Sequence, residues 1–510
     1  MKKTYLNHII NLKNKEQSPF AVLKDPTAAV CFPNDYALGM ANLGYAQLLS
    51  VFVDNGGFER FFHFRGFEDA AGYSFENNRK LKGFPLIAFS IPYERDLINA
   101  LRMMRNGDCM EKDNEHLKIA GGVAITLNPI PFKPFFDLLF LGDGEMFWDD
   151  FFQVISEKSK LNQKGEILNE LSQLKGVMIS GKDKNIIEIA RVEQPEGLME
   201  LSQIITSEAH FGRALLIDIS RGCRFKCKFC AAGYMRRKPL FRNETVFDYN
   251  TEKIGLIGSI ISDNPNFENI VKQIADNGFS LGISSLRVDL LDDSLLRILY
   301  NAGVKGLTLA PEAGSEDLRF RCGKAIPDDN FFDAAERMGN IGFKYIKLYF
   351  IIGLPTENDN DLSAIPELCR KISVISKNIE VRVSISIFTP KAHTPFQFTT
   401  FIGKEEFNKK SNTLKKEFKG LKVKVSYPSY REAYTAALLS MGDERVGKAI
   451  RDYAVRGKNL NSALKDNKVD VRQILFEEKD LEYKFPWDNI KAEFDKEFLF
   501  KSYIAAKSKK

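Results

Sequence analysis

Along the first 190 residues, short solid apolar runs alternate with stretches in which apolar positions recur every three or four residues. A run of four to eight apolar residues fits a buried strand, and a period near 3.6 fits a helix. This pattern predicts strands over 28–32, 60–63, 86–90, 117–120 and 138–141, and helices over 39–54, 94–104 and 145–155. Gly56-Gly57 ends the first helix, and Gly121-Gly122 and Gly142-Asp143-Gly144-Glu145 follow two of the strands. Such alternation predicts a parallel sheet covered by helices on both faces. In such sheets the loops past the carboxyl ends of the strands form the ligand crevice. Residues 177–180 and 186–190 read as a hairpin around Gly181-Lys182-Asp183, and 191–212 as a polar connector.

A second alternating region runs from 214 to 388. Strands are predicted over 214–219, 254–258, 281–285, 306–309, 345–351 and 381–387. Helices are predicted over 267–277, 293–301, 328–339 and 359–376. Asp292 or Asp293 caps the second of these helices and Gly303 stops it. About six β–α units are too few for an eight-fold barrel and enough for a partial one. After about residue 402 the pattern becomes helical and charged, with candidates over 404–419 and 434–446 and a tail containing Phe485-Pro486-Trp487. The fold class is therefore α/β. It comprises a doubly wound, Rossmann-like domain over 1–190, a linker over 191–212, a partial (β/α)6 barrel over 213–402 and a mainly helical extension over 403–510.

Composition narrows the class. Of 510 residues, 44% are hydrophobic and 27% charged, as in a folded globular chain. The net charge of +6 is too small to argue for a nucleic-acid partner. No run approaches the ~20 apolar residues of a membrane helix. Polar residues from Asn7 to Lys15 break any signal-peptide core behind Met1-Lys2-Lys3. Seven cysteines, three of them crowded into 223–230, do not look like a disulfide framework. A cytoplasmic protein with no membrane partner is expected.

The chemistry concentrates in Arg221-Gly222-Cys223-Arg224-Phe225-Lys226-Cys227-Lys228-Phe229-Cys230, where three residues and then two separate the thiols. The motif directly follows the first strand of the second region, on the face where β/α barrels carry their sites. Three thiolates on a tight loop can hold three irons of a four-iron cube. With no fourth cysteine nearby, the fourth iron stays open, as catalytic metals do. Structural zinc needs four ligands, and the nearest of the five histidines, His210, precedes the strand. Cys322 and Cys369 are the distant alternatives for a fourth ligand.

The spacing, with an aromatic just before the last cysteine, resembles the radical S-adenosylmethionine (radical SAM) superfamily. The resemblance implies a four-iron four-sulfur cluster on Cys223, Cys227 and Cys230, with S-adenosylmethionine on the open iron. Cleavage of that cofactor then yields a 5′-deoxyadenosyl radical. It also implies that the barrel is the superfamily's partial one. Phe229 is implied at the adenine, opposite the turn Gly353-Leu354-Pro355. Ser284-Ser285-Leu286-Arg287-Val288-Asp289 resembles the strand that reaches the cofactor's polar end, which implies roles for Ser284 and Arg287. An ion pair with Asp289 is the competing reading for Arg287. Glu312, in Ala310-Pro311-Glu312-Ala313-Gly314, is implied as an acceptor for cofactor or substrate, and a helix N-terminal carboxylate is its alternative. Phe388-Thr389-Pro390-Lys391-Ala392-His393-Thr394-Pro395 resembles a barrel-end motif also seen in methylthiotransferases. The usual Gly-Gly-Glu segment is absent, and Gly258, Ser259 and Asp263 stand in its place.

Phe32-Pro33-Asn34-Asp35, Gly121-Gly122 and Gly142-Asp143-Gly144-Glu145 resemble an uncharacterised radical SAM group with a cobalamin-binding-like first domain. The histidine signature that ligates cobalt is missing, so the resemblance leaves cobalamin open as a third cofactor. Methylthiotransferases proper carry three amino-terminal cysteines, and only Cys31 and Cys109 are available here. The expected partners are a substrate of unknown identity and a reductant such as flavodoxin or ferredoxin. Nucleic acid stays open through Lys404, Lys409, Lys410, Lys415 and Lys416. The competing functions are an iron–sulfur redox or scaffold protein, and an RNA-modifying or RNA-binding protein.

Overall fold

A computed structural model describes residues 3–20, 26–112, 115–157, 163–182, 186–194, 202, 204–242 and 251–508. The chain divides into two compact units. The first holds Met1–Ile217, Leu438–Val471 and Lys484–Ala492, and the second Asp218–Ala437, Arg472–Tyr483 and Glu493–Lys510.

The first unit is built on Ala28–Phe32 (β1), Phe58–Phe62 (β2), Leu86–Ser90 (β3), Leu117–Gly121 (β4), Leu138–Phe140 (β5) and Val177–Ile179 (β6). Their spatial order is β2-β1-β3-β4-β5-β6. All neighbours are parallel except β5 and β6. The first five strands have the doubly wound 2-1-3-4-5 order, with its switch point between β1 and β3. Every residue of β1 and β3 is buried. That explains their unbroken apolar runs, since a parallel sheet is covered on both faces. The first long helix is Leu43–Asp54 and not 39–54, because the Asn42 side chain accepts from the Tyr45 N–H at 2.9 Å and fixes the start.

The hairpin expected over 177–190 is not formed. β6 pairs with β5 and protects its edge. Ile187–Glu188 instead pairs in parallel with Ile490–Lys491. Asp183, in the expected turn, lies outside the described residues.

The second unit contains Leu215–Arg221 (β7), whose last four residues belong to it, Lys253–Gly258 (β8), Ser280–Ile283 (β9), Gly306–Glu312 (β10), Tyr345–Ile352 (β11), Glu380–Ile387 (β12) and Val423–Ser426 (β13). β7-β8-β9 form one sheet, with Leu240–Phe241 on the outer side of β7, and β10-β11-β12-β13 form another. A parallel bridge between Leu286 and Leu309 links the two into a partial barrel. The six expected strands are present, and the Asp292 side chain caps Asp293–Asn301 through the Leu295 N–H at 2.8 Å.

A separate helical extension over 403–510 is corrected by the structure. β13 extends the barrel sheet alongside β12. Residues 438–471 and 484–492 belong to the first unit. The Asn128 amide donates to the carbonyls of Leu439, Ser440 and Gly442 at 3.4, 3.1 and 2.9 Å. The helix Glu444–Ala454 approaches so closely that a Cβ on Gly447 would lie 2.0 Å from the Pro131 carbonyl oxygen. The single helix expected over 434–446 is thus two, Tyr430–Met441 and Glu444–Ala454, because Asp443 accepts from the Arg445 and Val446 N–H groups and starts the second. Among the described residues no helix is long and apolar enough to cross a membrane.

Gly447→Ala should therefore lower stability by about 2 kcal/mol, the cost of overpacking against backbone. Gly165→Ala, where an added Cβ meets nothing, should raise it by about 0.5 kcal/mol. Urea unfolding of both variants checks the pair.

Candidate active site on the cysteine loop

β7 ends at Arg221, and Gly222 turns the chain with φ 86°. A Cβ at Gly222 would meet the Arg236 side chain at 2.8 Å. The Gly222 N–H donates to Ser259 Oγ at 3.2 Å. The loop beyond has little regular structure, so its polar backbone is satisfied from elsewhere. Lys228 N–H donates to the Cys322 carbonyl at 2.8 Å, and the Lys228 carbonyl accepts from Phe396 N–H at 3.1 Å. Tyr234 Oη donates to the Lys226 carbonyl at 3.0 Å. Gly233 and Gly323 let the loop seat closely, since their Cβ atoms would lie 2.1 Å from Phe225 O and 2.5 Å from Lys226 O. The Lys226 ammonium bonds the Gly233 carbonyl and lies 4.5 Å over the Phe494 ring.

Cys223, Cys227 and Cys230 are half-buried and free of disulfides. Burial raises all three thiols above their usual range, Cys227 to about 12. Lys324 and Arg287 oppose the rise at Cys227, and Arg287 also opposes it at Cys223. The thiols share one loop. Among the described residues no three His, Cys, Asp or Glu side chains stand at metal-ligand spacing.

Phe229 lies half-buried on the same loop. Arg287 reaches the loop through Phe225, its guanidinium 3.6 Å from the ring centroid. Its fork is taken by Asp289, through hydrogen bonds of 2.9 and 2.7 Å. Glu312 is not at a helix start. It ends β10 with φ 70° beside a bulge and pairs with Lys324 at 3.1 Å. The thiols of Cys227 and Cys230 feel the charges of both Glu312 and Lys324. Asp263 pairs with Arg224 at 2.6 Å. Ser284 is half-buried just past β9.

Gly353, Leu354 and Pro355 follow the end of β11. They line a cavity of about 270 Å³ with Thr399, Ile402 and Tyr503, and no cysteine-loop residue lines it. Glu357 fixes this turn, accepting from Gly353 N–H at 2.8 Å and from Lys410 at 2.7 Å. Phe225, Lys324 and the Glu357–Lys410 pair escaped the sequence reading. The only signal for Phe225 was its place between two thiols.

In the first unit, the switch point is bridged by Asn34 donating to Asp96 Oδ1 at 2.9 Å, with Asn99 donating to the Pro33 carbonyl at 3.0 Å. Asp96 is 3% exposed, and its Oδ2 has no hydrogen-bond partner. Burial pushes its carboxyl up to about 7. Past β3, β4 and β5, the side chains of Tyr93, Val123 and Met146 stand exposed.

Two family models match: "Radical SAM proteins, N-terminal" over residues 65–180, and "Radical SAM superfamily" over 217–369. The chain belongs to the radical SAM superfamily and is an enzyme of that class. An uncharacterized protein of Methanocaldococcus jannaschii is 29% identical over 91% of this chain and 98% of its own length. The probable dual-specificity RNA methyltransferase RlmN of Streptococcus agalactiae is 24% identical over 36% of this chain, and the match spans 57% of that protein. A solved structure of the cobalamin-dependent S-adenosylmethionine radical enzyme OxsB, with aqua-cobalamin bound, superimposes with a TM-score of 0.48 at 12% identity. It covers 77% of this chain and 62% of that one.

The superfamily's cofactors are a four-iron four-sulfur cluster and S-adenosylmethionine. The donor set fits the cluster: three free thiols on one loop at the end of the first barrel strand. Asp289 takes the Nε–Nη2 edge of Arg287, which leaves the Nη1 side of its guanidinium for any other acceptor.

Two outcomes follow. A carboxyl whose folded pKa, about 7, exceeds the usual 3.8 costs stability as pH rises between those values. Asp96→Asn should therefore flatten the fall in stability between pH 4 and 7 and exceed the wild type at pH 8, as thermal melts across pH will show. Lys410→Met leaves the buried Glu357 carboxylate unpaired and should cost about 3 kcal/mol. Adding Glu357→Gln should recover most of that loss in urea unfolding.

Proposed function

We propose that this enzyme carries its cluster on Cys223, Cys227 and Cys230, leaves one iron open for S-adenosylmethionine, and uses a corrinoid on its first unit for methyl transfer. The observation that carries the cluster reading is the set of three free thiols, spaced three and two residues apart, just past β7. When bound, the cluster supplies one electron to the cofactor. The chain's own residues hold the loop, bury the thiols and surround them with paired charges. A flavodoxin or ferredoxin fits as the electron source.

The corrinoid reading is supported by the 2-1-3-4-5 order and by the carboxyl edge of that sheet. Glycines at 122 and 142 have φ of 118° and 125°, which side chains rarely adopt, and they sit beside exposed Val123 and Met146. An apolar, backbone-rich rim suits a large flat ligand. The likeness to an RNA methyltransferase favours methyl transfer as the outcome and makes RNA the second substrate reading.

Anaerobic reconstitution should give about four irons per chain and reductant-dependent 5′-deoxyadenosine. Each of Cys223→Ala, Cys227→Ala and Cys230→Ala should abolish both, whereas Cys322→Ala and Cys369→Ala should keep both. Full iron content in the triple variant refutes the site. Hydroxocobalamin that elutes with the protein in gel filtration supports the methyl-transfer reading. Free passage of the corrinoid refutes it and favours hydrogen abstraction.

A further inference from the structure

Phe225 lies midway between Cys223 and Cys227, and two guanidiniums reach its ring. Arg287 stands 3.6 Å and Arg224 4.9 Å from the centroid. Each cation is tethered to its own carboxylate. Arg287 holds Asp289 at 2.9 and 2.7 Å, and Arg224 holds Asp263 at 2.6 Å. Asp263 follows β8 and Asp289 follows β9, so the ring ties the loop after β7 to the ends of the next two strands. The two pairs are also connected, since Arg287 N–H donates to Ser262 Oγ at 3.4 Å, one residue from Asp263. The Phe225 carbonyl is fixed separately, in the close approach to Gly233.

This arrangement has a chemical logic. An aromatic ring offers a face to cations without competing with thiolates for metal. Asp289 takes two of the Arg287 donors, and Asp263 pairs with Arg224, which holds both guanidiniums against the ring. A cation–π contact strengthens with desolvation. The Arg287 side chain is 10% exposed and that of Arg224 58%, so Arg287 makes the stronger grip.

We propose that Phe225 is a positioning residue for the cysteine loop, gripped chiefly by Arg287, and that Arg287 acts through this ring and not on S-adenosylmethionine. The inference rests on the cluster reading of Cys223, Cys227 and Cys230. It departs from the role that family resemblance implies for Arg287.

The test uses the anaerobically reconstituted full chain and three readouts: iron release to a ferrous chelator, the melting temperature of the apo protein, and S-adenosylmethionine binding by equilibrium dialysis. Phe225→Leu and Arg287→Gln should release iron roughly tenfold faster than wild type. Phe225→Tyr and Arg224→Gln should stay within about twofold. Apo melting temperatures should be unchanged, which separates positioning of the loop from general support of the fold. Arg287→Gln should bind S-adenosylmethionine within about twofold of wild type when compared at equal cluster content. Should Phe225→Leu fail to fold, Arg287→Gln carries the test. Wild-type release rates in Phe225→Leu or Arg287→Gln overturn the inference, as does tyrosine failing to substitute for phenylalanine. So does weakened S-adenosylmethionine binding in Arg287→Gln without faster iron release. A wild-type chain that takes up no iron overturns the cluster reading itself, and this inference with it.

Discussion

The second unit depends on satisfying the backbone of a loop that carries three thiols and almost no regular structure. Ordering each residue costs about 1–2 kcal/mol, and a buried polar group left unpaired costs about as much again. Residues 223–230 cannot meet that cost locally. Their partners come from Cys322, Phe396 and Tyr234, on three separate segments. The glycines at 233 and 323 follow from the same demand, because any side chain there would push the loop away from its partners. The last segment of the chain serves it too, with Phe494 under Lys226 and against Tyr234.

The first unit answers a related problem. The unit is completed by chain that returns more than two hundred residues later, and such a return needs specific anchors. The Asn128 amide meets the carbonyls of Leu439, Ser440 and Gly442, and Gly447 allows backbone contact with Pro131. A glycine inside a helix costs about 1 kcal/mol relative to alanine, so its presence in Glu444–Ala454 is explained by the approach it permits.

Much of the fold was legible because periodicity reports burial, and burial in a strand–helix alternation has few solutions. All six barrel strands and the five parallel strands of the first sheet lay where the apolar runs put them. β13 was missed because Val423–Ser426 is short and only half-buried on one face. The hairpin over 177–190 failed because local pattern cannot say that β6 prefers β5. The cysteines were legible because their chemistry is in their spacing. Arg287 was read as reaching either the cofactor's polar end or Asp289; the ion pair with Asp289 is present, and sequence cannot tell a ligand carboxylate from one two residues on. Glu312 is not the helix N-terminal carboxylate of one reading, since its left-handed backbone and its Lys324 partner are both tertiary facts. The Glu357–Lys410 pair joins residues 53 apart in sequence and left no local mark.

The charges around the loop form a consistent set. Arg287, Arg224 and Lys324 are each paired with a carboxylate: Asp289, Asp263 and Glu312. These pairs are close to neutral, so the local charge changes mainly when the thiols lose protons. Burial holds those protons on, most strongly at Cys227. Any metal bound through these thiolates would displace them, so that binding weakens as pH falls and releases protons. The paired cations ease this step without removing its cost, because a guanidinium already held by aspartate stabilises a nearby thiolate less than a free one would. The loop is thus poorly suited to exposing reactive thiolates.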